Sequence, residues 1–355
     1  MSVYICRIFM QIKKILQRFV NWEQWPFFVL YAPISAVWLW NIIRSRAVWF
    51  FTPSNPYLSF GGFEGEGKKE MYDLLPPQLV PVTVYISKRL SFSELLRRVK
   101  LAGLQYPFVV KPDVGMKGIL FRIIESEQQL KQYHERMPVR YIVQEKIDYP
   151  LEVSVFYYRY PWEEKGVISG FIHKELLHVQ GDGKSNLKEL VGNHPRARYR
   201  LEEMERRHGQ SFQKVIPAGE LYYLSFAGNH NRGARFTNMQ EEVDEKMLSV
   251  FDQLSHRTCF YYGRYDIKAA SIEDLKQGKQ FSILEYNGAG AEPNHIYDCG
   301  MSLLQAYGII LHHWKALYRI SRYNAKHGFP YWSYRRGLKY LRAARRHFSM
   351  LEKLD

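Results

Sequence analysis

The stretch "ILEYNGAGAEPNH", residues 283–295, decides the reading. An apolar run ends with Glu285 and Asn287 two positions apart and then breaks into glycines. In a β-strand, residues i and i+2 share a face, so this carboxylate and carboxamide converge on one point. Two hard oxygen donors so placed suit a divalent cation, Mg²⁺ or Mn²⁺, of the kind shared with substrate phosphates. One such pair is a weak signal, so the surrounding chain has to supply a phosphate site.

The preceding strand pattern is "YYGRYDIKAA", in which Arg264, Asp266 and Lys268 alternate. Three charges on one strand face cost nothing towards solvent, but facing a core they must be paired or liganded. "QFSILEYN" reads as the antiparallel partner of this strand, joined to it by "SIEDLKQGK". Arg, Asp, Glu and Asn presented together by two adjacent strands point to a metal–phosphate site more strongly than either strand does alone.

Further upstream, "FVVKPDVGMKG" sets Lys111 after an apolar β run, followed by a loop with Gly115, Lys117 and Gly118. Glycines let backbone N–H groups approach a phosphate and lysines neutralise it. The pattern is not a P-loop, and an ordinary hairpin is an equally good local reading. In "YIVQEKIDYPLEVSVF", the strand end Gln144-Glu145-Lys146-Ile147 offers backbone donors and acceptors that can read a purine edge. Glu152, at the start of the next strand, can accept from ribose hydroxyls. A solvated sheet edge would look the same.

The chain has 355 residues, enough for a full core in one large domain or two smaller ones. The net charge of +15 points to an anionic partner: nucleotide phosphates, nucleic acid or a membrane surface. The three cysteines, Cys6, Cys259 and Cys299, form no CxxC, which argues against a disulfide framework or zinc site and fits a reducing compartment. The N-terminus is not a usual signal peptide, since Arg7, Lys13, Lys14 and Arg18 interrupt its apolar residues. Residues 25–43 carry no charge and are just long enough to span a bilayer. Their aromatics are spread through the segment rather than gathered at its ends, which favours an interfacial or core helix pair over a span.

Helices are expected over "SFSELLRRVKLAG", with a Ser91 or Ser93 cap and a stop at Gly103, and over "SEQQLKQYHERM", "NLKELVGNH" and "EVDEKMLSVFDQLSHRT". Strands are expected in "PFVVKPD", "GILFRII", "RYIVQEKI", "EVSVFYYR" and "VISGFIHKELL". This mixture indicates an α+β fold rather than a regular βαβ series. From Cys299 to Leu351 there is no acidic residue, and Tyr334, Leu338, Leu341 and Phe348 can share a helical stripe.

The order of "VVKPDVGMKG", "YIVQEKI" with "EVSVF", "GDGKSNLKEL", "RYDIKA" and "LEYN" resembles the ATP-grasp ligases, most closely D-alanine–D-alanine ligase-like carboxylate–amine ligases. The resemblance covers roughly residues 85–312 and implies two α+β subdomains clasping ATP. It divides the chain into an aromatic, glycine-rich N-terminal module (1–85), an ATP-grasp domain (86–312, split near residue 150) and a basic helical tail (313–355). It implies that Lys111 and Lys174 hold ATP phosphates and that the Gly115–Gly118 loop, with Lys117, closes over them. Gln144, Glu145, Lys146 and Ile147 would then read adenine, and Glu152 the ribose. Asp266, Glu285 and Asn287 would bind the metal, and Arg264 would stabilise the transferring phosphoryl group.

The implied activity is ATP-dependent joining of a small carboxylate to an amine through an acyl phosphate. Two departures bear on the substrate. "GAGAEPNH" replaces the Ser-Pro-Gly turn of D-alanine ligases, and the N-terminal "NPYLSFGGFEGEGKKE", with Asn55, Gly61, Gly62, Glu66 and Lys68, does not match the family's usual first domain. In "AGNHNRGARF", His230, Arg232 and Arg235 either bind an acyl phosphate or substrate carboxylate or are surface charge. A second reading is a membrane-surface protein whose ATP site is regulatory. Nucleic-acid binding is disfavoured, because the basic tail matches no reading motif. The expected location is cytoplasmic, with the anionic inner membrane face as a candidate surface. Oligomeric state stays open.

Overall fold

The computed structural model describes residues 21–354, apart from Lys117, Phe226, Ala227, Asn229, Asn231 and Arg232. Lys117, Arg232, Cys6 and the basic residues Arg7, Lys13, Lys14 and Arg18 therefore lie outside the described residues. The aromatic segment forms two short helices, α1 (Phe27–Tyr31) and α2 (Ser35–Ser45), joined by a 3-10 turn near whose start Pro33 sits. Irregular turns lead to α3 (Lys68–Tyr72).

The small lobe follows as β1 (Thr83–Ile86), α4 (Phe92–Leu101), β2 (Phe108–Pro112), β3 (Arg122–Ile124), α5 (Glu127–Arg136) and β4 (Tyr141–Glu145). Its sheet is antiparallel in the order β1-β4-β2-β3. Ser91 caps α4 by accepting from the Glu94 N–H, and Gly103, two residues past the helix end, takes the left-handed conformation. The strand expected over "GILFRII" shrinks to Arg122–Ile124. Gly118–Phe121 form a turn instead, in which Ile119 and Leu120 fold into the small-lobe core.

The large lobe runs β5 (Leu151–Tyr158), β6 (Val167–Glu175), β7 (His178–Gln180), α6 (Leu187–Asn193), α7 (Leu201–His208), β8 (Leu221–Tyr223), β9 (Arg235–Asn238), α8 (Glu245–Thr258), β10 (Tyr262–Ala269), α9 (Ile272–Lys276) and β11 (Phe281–Asn287). Its antiparallel sheet has the order β11-β10-β5-β6-β9. The β7–β8 ribbon with α6 and α7 is an insertion with its own core around Leu187, Met204 and Phe212. Helices α10 (Leu303–Lys326) and α11 (Tyr334–Glu352) complete the described chain.

The two-residue period of the strands sorts the large sheet. Val153, Val155, Tyr157, Tyr265 and Ile267 face one way and pack on Met247, Phe251 and Leu254 of α8. On the opposite face Phe156, Tyr158 and Tyr262 pack on Ala316, Leu317 and Ile320 of α10 together with Phe50 and Phe51. Helix α10 buries Ala306, Ile310, His313, Leu317, Ile320 and Asn324, a continuous stripe at helical spacing. The sequence break placed between residues 312 and 313 thus falls inside one helix, because the charge changes on its outer side while the buried stripe continues. In α11, Gly337, Ala344, Phe348 and Leu351 are the buried residues and Tyr334 is exposed. Close packing selects Gly337, where a Cβ would come within 2.3 Å of Trp49. Leu351 reaches the core of the small lobe.

Candidate active site

Beyond Tyr262, the α10-facing side of the large sheet turns polar, because β10 continues with Arg264, Asp266 and Lys268 on the same face. This face and the small sheet enclose a cavity of about 800 Å³ whose wall includes Lys111, Gly115 and Gly118 from the small lobe. Glu152, Lys174, Arg264, Asp266, Glu285 and Asn287 line it from the large lobe. The register puts Asp266 opposite Glu285 and Arg264 opposite Asn287.

A bulge makes this possible. Ile267 pairs with Ile283, so Leu284 is an extra residue in β11. Without it, Ile283 and Glu285 would share a face. With it, Ile283 enters the core beneath α8 while Glu285 and Asn287 line the cavity. Tyr72 donates to the Leu284 carbonyl at 2.6 Å, satisfying that irregular position.

Asp266 is the hub. Lys174, only 4% exposed, donates to its Oδ1 at 2.6 Å. Arg264 reaches both oxygens, Nε to Oδ1 at 3.2 Å and Nη2 to Oδ2 at 3.3 Å. The Ser154 hydroxyl also donates to Oδ1, and the Asn294 amide donates to Ser154 at 3.2 Å. Burial alone would raise the Asp266 pKa, but Arg264 and Lys174 outweigh it and hold the carboxyl well below the usual range. Lys111 is the counter-case. Burial lowers its pKa to about 7, with Lys68 nearby adding to the effect. Burial also raises Glu152, whose Oε1 would lie 2.2 Å from a Cβ on Gly228, so only glycine fits there.

Asp266, Glu285 and Asn287 offer the oxygen types that Mg²⁺ takes. Each acid also has its own cation, Lys174 and Arg264 on Asp266 and Lys68 on Glu285 at 3.2 Å. Asn287 donates its amide nitrogen to Asp266 Oδ2 at 3.2 Å, so ligation through its oxygen requires the carboxamide to turn over. The donor set fits Mg²⁺ in kind.

The expected purine-reading residues are the ones not brought to the cavity. Gln144, Glu145, Lys146 and Ile147 are absent from its wall. Gln144 is paired with β1 on one side and β2 on the other, and its side chain donates to Tyr72 and Thr83. Glu145 exchanges hydrogen bonds with Val82. The Ile147 carbonyl accepts from Lys268 at 3.1 Å.

Two parts of the wall were not assigned a role from sequence. Lys68 and Glu66 enter from the glycine-rich N-terminal segment, and Glu292 lies beyond Asn287. One Glu292 oxygen accepts from Tyr31 at 3.2 Å and from Tyr297 at 2.6 Å, while Arg264 donates to its backbone carbonyl. The signal for Glu292 was the departure "GAGAEPNH"; for Tyr31, in a remote helix, there was none. At the rim, His230 stacks on Tyr297, whereas Arg235 is exposed on β9. Potential ligand atoms of Glu23, His230 and Asp298 lie within 4.8 Å of one another. Arg196, 2.5 Å from Asp298, already balances that charge.

No family model and no curated protein matches the chain. Among solved structures it is similar to a bifunctional glutathione synthetase from Pasteurella multocida, at 16% identity and TM-score 0.38, over 70% of this chain and 36% of that one. It is similar to the VanG D-Ala:D-Ser ligase from Enterococcus faecalis, at 14% identity and TM-score 0.41, over 73% of this chain and 62% of that one. A D-alanine–D-alanine ligase from Bacillus anthracis is 15% identical with TM-score 0.39, over 74% of this chain and 69% of that one. The chain thus spans little more than a third of the first of these and less than two thirds of the second.

Proposed function

We propose that the chain is an ATP-grasp enzyme that joins a carboxylate to an amine at the expense of ATP. The observation that carries this reading is the cavity between two antiparallel sheets, with Lys111 and a glycine loop on one wall and Lys174, Arg264, Asp266, Glu285 and Asn287 on the other. Lysine and arginine beside hard oxygen donors that can share a divalent cation are complementary to a metal-bound polyphosphate.

In this reading Lys111, Lys174 and the backbone of Gly115–Gly118 hold the phosphates. Asp266, Glu285 and Asn287 would hold Mg²⁺, which when bound supplies positive charge to the phosphate oxygens. Arg264, fixed on Asp266, meets the negative charge that develops as a substrate carboxylate attacks the terminal phosphate. That attack breaks the bond to the β-phosphate and expels ADP; the amine then attacks the acyl carbon of the acyl phosphate, loses a proton and displaces phosphate to leave the amide. The residues contribute position and charge, with no covalent nucleophile. Glu152 is assigned to the ribose. The adenine assignment narrows to the backbone of Lys146 and the N–H of Ile147, since Gln144 and Glu145 are engaged in the sheet and the Ile147 carbonyl accepts from Lys268. Glu292, held by two tyrosines, faces the substrate end and suits an amine.

The test is phosphate and ADP release from Mg·ATP with pooled amino acids and small carboxylates. Turnover that requires both an acid and an amine supports the ligase. Nucleotide binding without turnover in any pool would instead favour a regulatory site.

A further inference from the structure

The glycine-rich segment "GGFEGEGKKE", residues 61–70, has no part in the chemistry so far. It lies between the lobes at the end of the cavity. At one end, the carbonyls of Gly61 and Gly62 accept from Ala289 at 3.0 Å and Gly290 at 3.2 Å, just past the metal-site end of β11. The fit there leaves no room for side chains. A Cβ on Gly290 would stand 1.9 Å from the Phe63 carbonyl oxygen, and Gly62 has φ +70° and lies against Gly288. At the other end, the Lys68 N–H donates to the Asp113 carbonyl at 3.0 Å, and the Lys69 N–H to the Asp113 carboxylate at 3.0 Å. Asp113 is two residues beyond Lys111. The segment is thus pinned just past β2, which supplies Lys111, and just past β11, which supplies Glu285 and Asn287.

It carries charge into the cavity wall. Lys68 is 8% exposed, and its ammonium lies 3.2 Å from Glu285 Oε1. Glu66 lines the same cavity with one buried oxygen that has no hydrogen-bond partner among the described residues. Lys68, Lys111, Lys174 and Arg264 all line this cavity, with Lys68 on Glu285 and with Lys174 and Arg264 on Asp266. A buried cation on a chain otherwise rich in exposed lysine and arginine is costly unless it has anionic partners. Its ion-pair partner Glu285 is one of the residues assigned to the metal, so a bound cation would draw that carboxylate away and leave the Lys68 ammonium open to phosphate.

We propose that Lys68 binds the terminal phosphate of the nucleotide, so that the N-terminal module completes the transfer site rather than merely preceding it. The proposal rests on the ATP reading above. The competing role is structural, with the Lys68–Glu285 pair only fastening the segment to β11.

ATP and ADP affinities of the full chain separate the two, measured by calorimetry at fixed Mg²⁺ for wild type, Lys68→Gln, Lys68→Met and Lys68→Arg. Lys68→Gln keeps a hydrogen bond to Glu285 and guards against failure of the methionine variant to fold. The expected result is an ATP affinity lowered about tenfold or more in Lys68→Gln and Lys68→Met, the scale of a lost charge-assisted contact, with ADP affinity nearly unchanged and Lys68→Arg partly restored. An equal loss for both nucleotides, or no loss for either, overturns the proposal while leaving the ATP reading intact. A wild-type chain that binds neither nucleotide overturns both.

Discussion

At the scale of single residues, the site is a balance of charges that nucleotide should upset in a measurable way. Burial holds Lys111 at about 7 rather than near 10.5, so close to pH 7.5 much of it is neutral. Phosphate beside it would favour the charged form, so ATP binding at that pH should be accompanied by proton uptake. Calorimetry in buffers of different ionisation enthalpy reads this directly. Lys111→Ala should abolish its share of the uptake and weaken Mg·ATP binding by about tenfold or more. Unchanged affinity and uptake would remove Lys111 from the phosphate site. The two strand-end residues differ in kind. Glu285→Gln takes a negative charge from the proposed metal site and should abolish turnover with the fold intact. Asn287→Asp keeps an oxygen ligand and should retain part of the activity, with a shifted preference between Mg²⁺ and Mn²⁺. Normal turnover by Glu285→Gln would show that β10 and β11 do not hold the metal.

At the scale of elements, the contact between α10 and the large sheet has a built-in acid sensitivity. His313 of α10 lies edge-on to Phe156 at 4.3 Å, and His295 lies 5.4 Å from it, where a Cβ on Gly170 of β6 would collide. Neither Nδ1 atom has a hydrogen-bond partner among the described residues. Burial pulls His295 down to about 4, with Arg264 nearby adding to the effect, and burial with His295 and His312 lowers His313 well below 6.5. A histidine whose pKa falls on folding contributes stability above its unfolded value, and that stability is lost as the pH falls through the folded value. The loss should therefore run from about pH 6.5 to about pH 4. Asp266, held below the usual carboxylate range, adds its loss only at lower pH. Glu66 works the other way. Its pKa is raised to about 7, so its contribution is full below 4.5 and lost as pH rises to about 7. Thermal unfolding followed between pH 7 and 4 should show a shallower decline for His313→Leu than for wild type. Parallel curves would mean that this histidine does not titrate in the contact.

At the scale of the whole molecule, the lobes are joined by more than the chain between β4 and β5. The 61–70 segment crosses from β11 to β2, and α11 carries Leu351 into the small-lobe core while His347 meets the Val114 carbonyl at 2.8 Å. The outward side of α1 and α2 is the other large-scale feature. The segment Phe27–Ser45 is long and apolar enough to cross a membrane. Its inner side, however, is docked: Leu30 and Ile34 pack beside Ala306 and Ile310, and Trp38 packs tilted against Phe50 and Phe63 and edge-on to Trp314. Phe27, Phe28, Leu39, Trp40 and Ile43 stay more than half exposed. One packed face and one apolar outer face, with Arg44 and Arg46 at its end, suit a segment lying on an anionic surface. The chain should then bind anionic vesicles at low salt and leave them at high salt or in carbonate, and Trp40→Ser with Ile43→Ser should weaken binding. Release by detergent alone would indicate a span, and no binding would reserve the face for another contact.

Much of this architecture is legible from local pattern. Ser91, Ser126 and Asn186 announce their helices because a cap acts over three residues. Asp266, Glu285 and Asn287 stand out because a two-residue period aims alternate side chains at one place, and Lys111 because it ends an apolar run just before a glycine loop. What the chain cannot show locally is which long-range contact overrides that period. The bulge at Leu284 sets Glu285 opposite to Ile283, and nothing in "SILEYN" marks it. Gln144 looks free at a strand end, yet β1, some sixty residues away, occupies the edge that a purine would need. The place of Lys68 beside Glu285 and of Tyr31 beside Glu292 depends on contacts spanning more than 200 residues. Sequence by itself determined most of the elements and singled out the residues proposed for the chemistry, since both signals arise from neighbours along the chain. Only the tertiary structure decided which remote segments close the cavity, because that choice follows from packing and burial over the whole molecule.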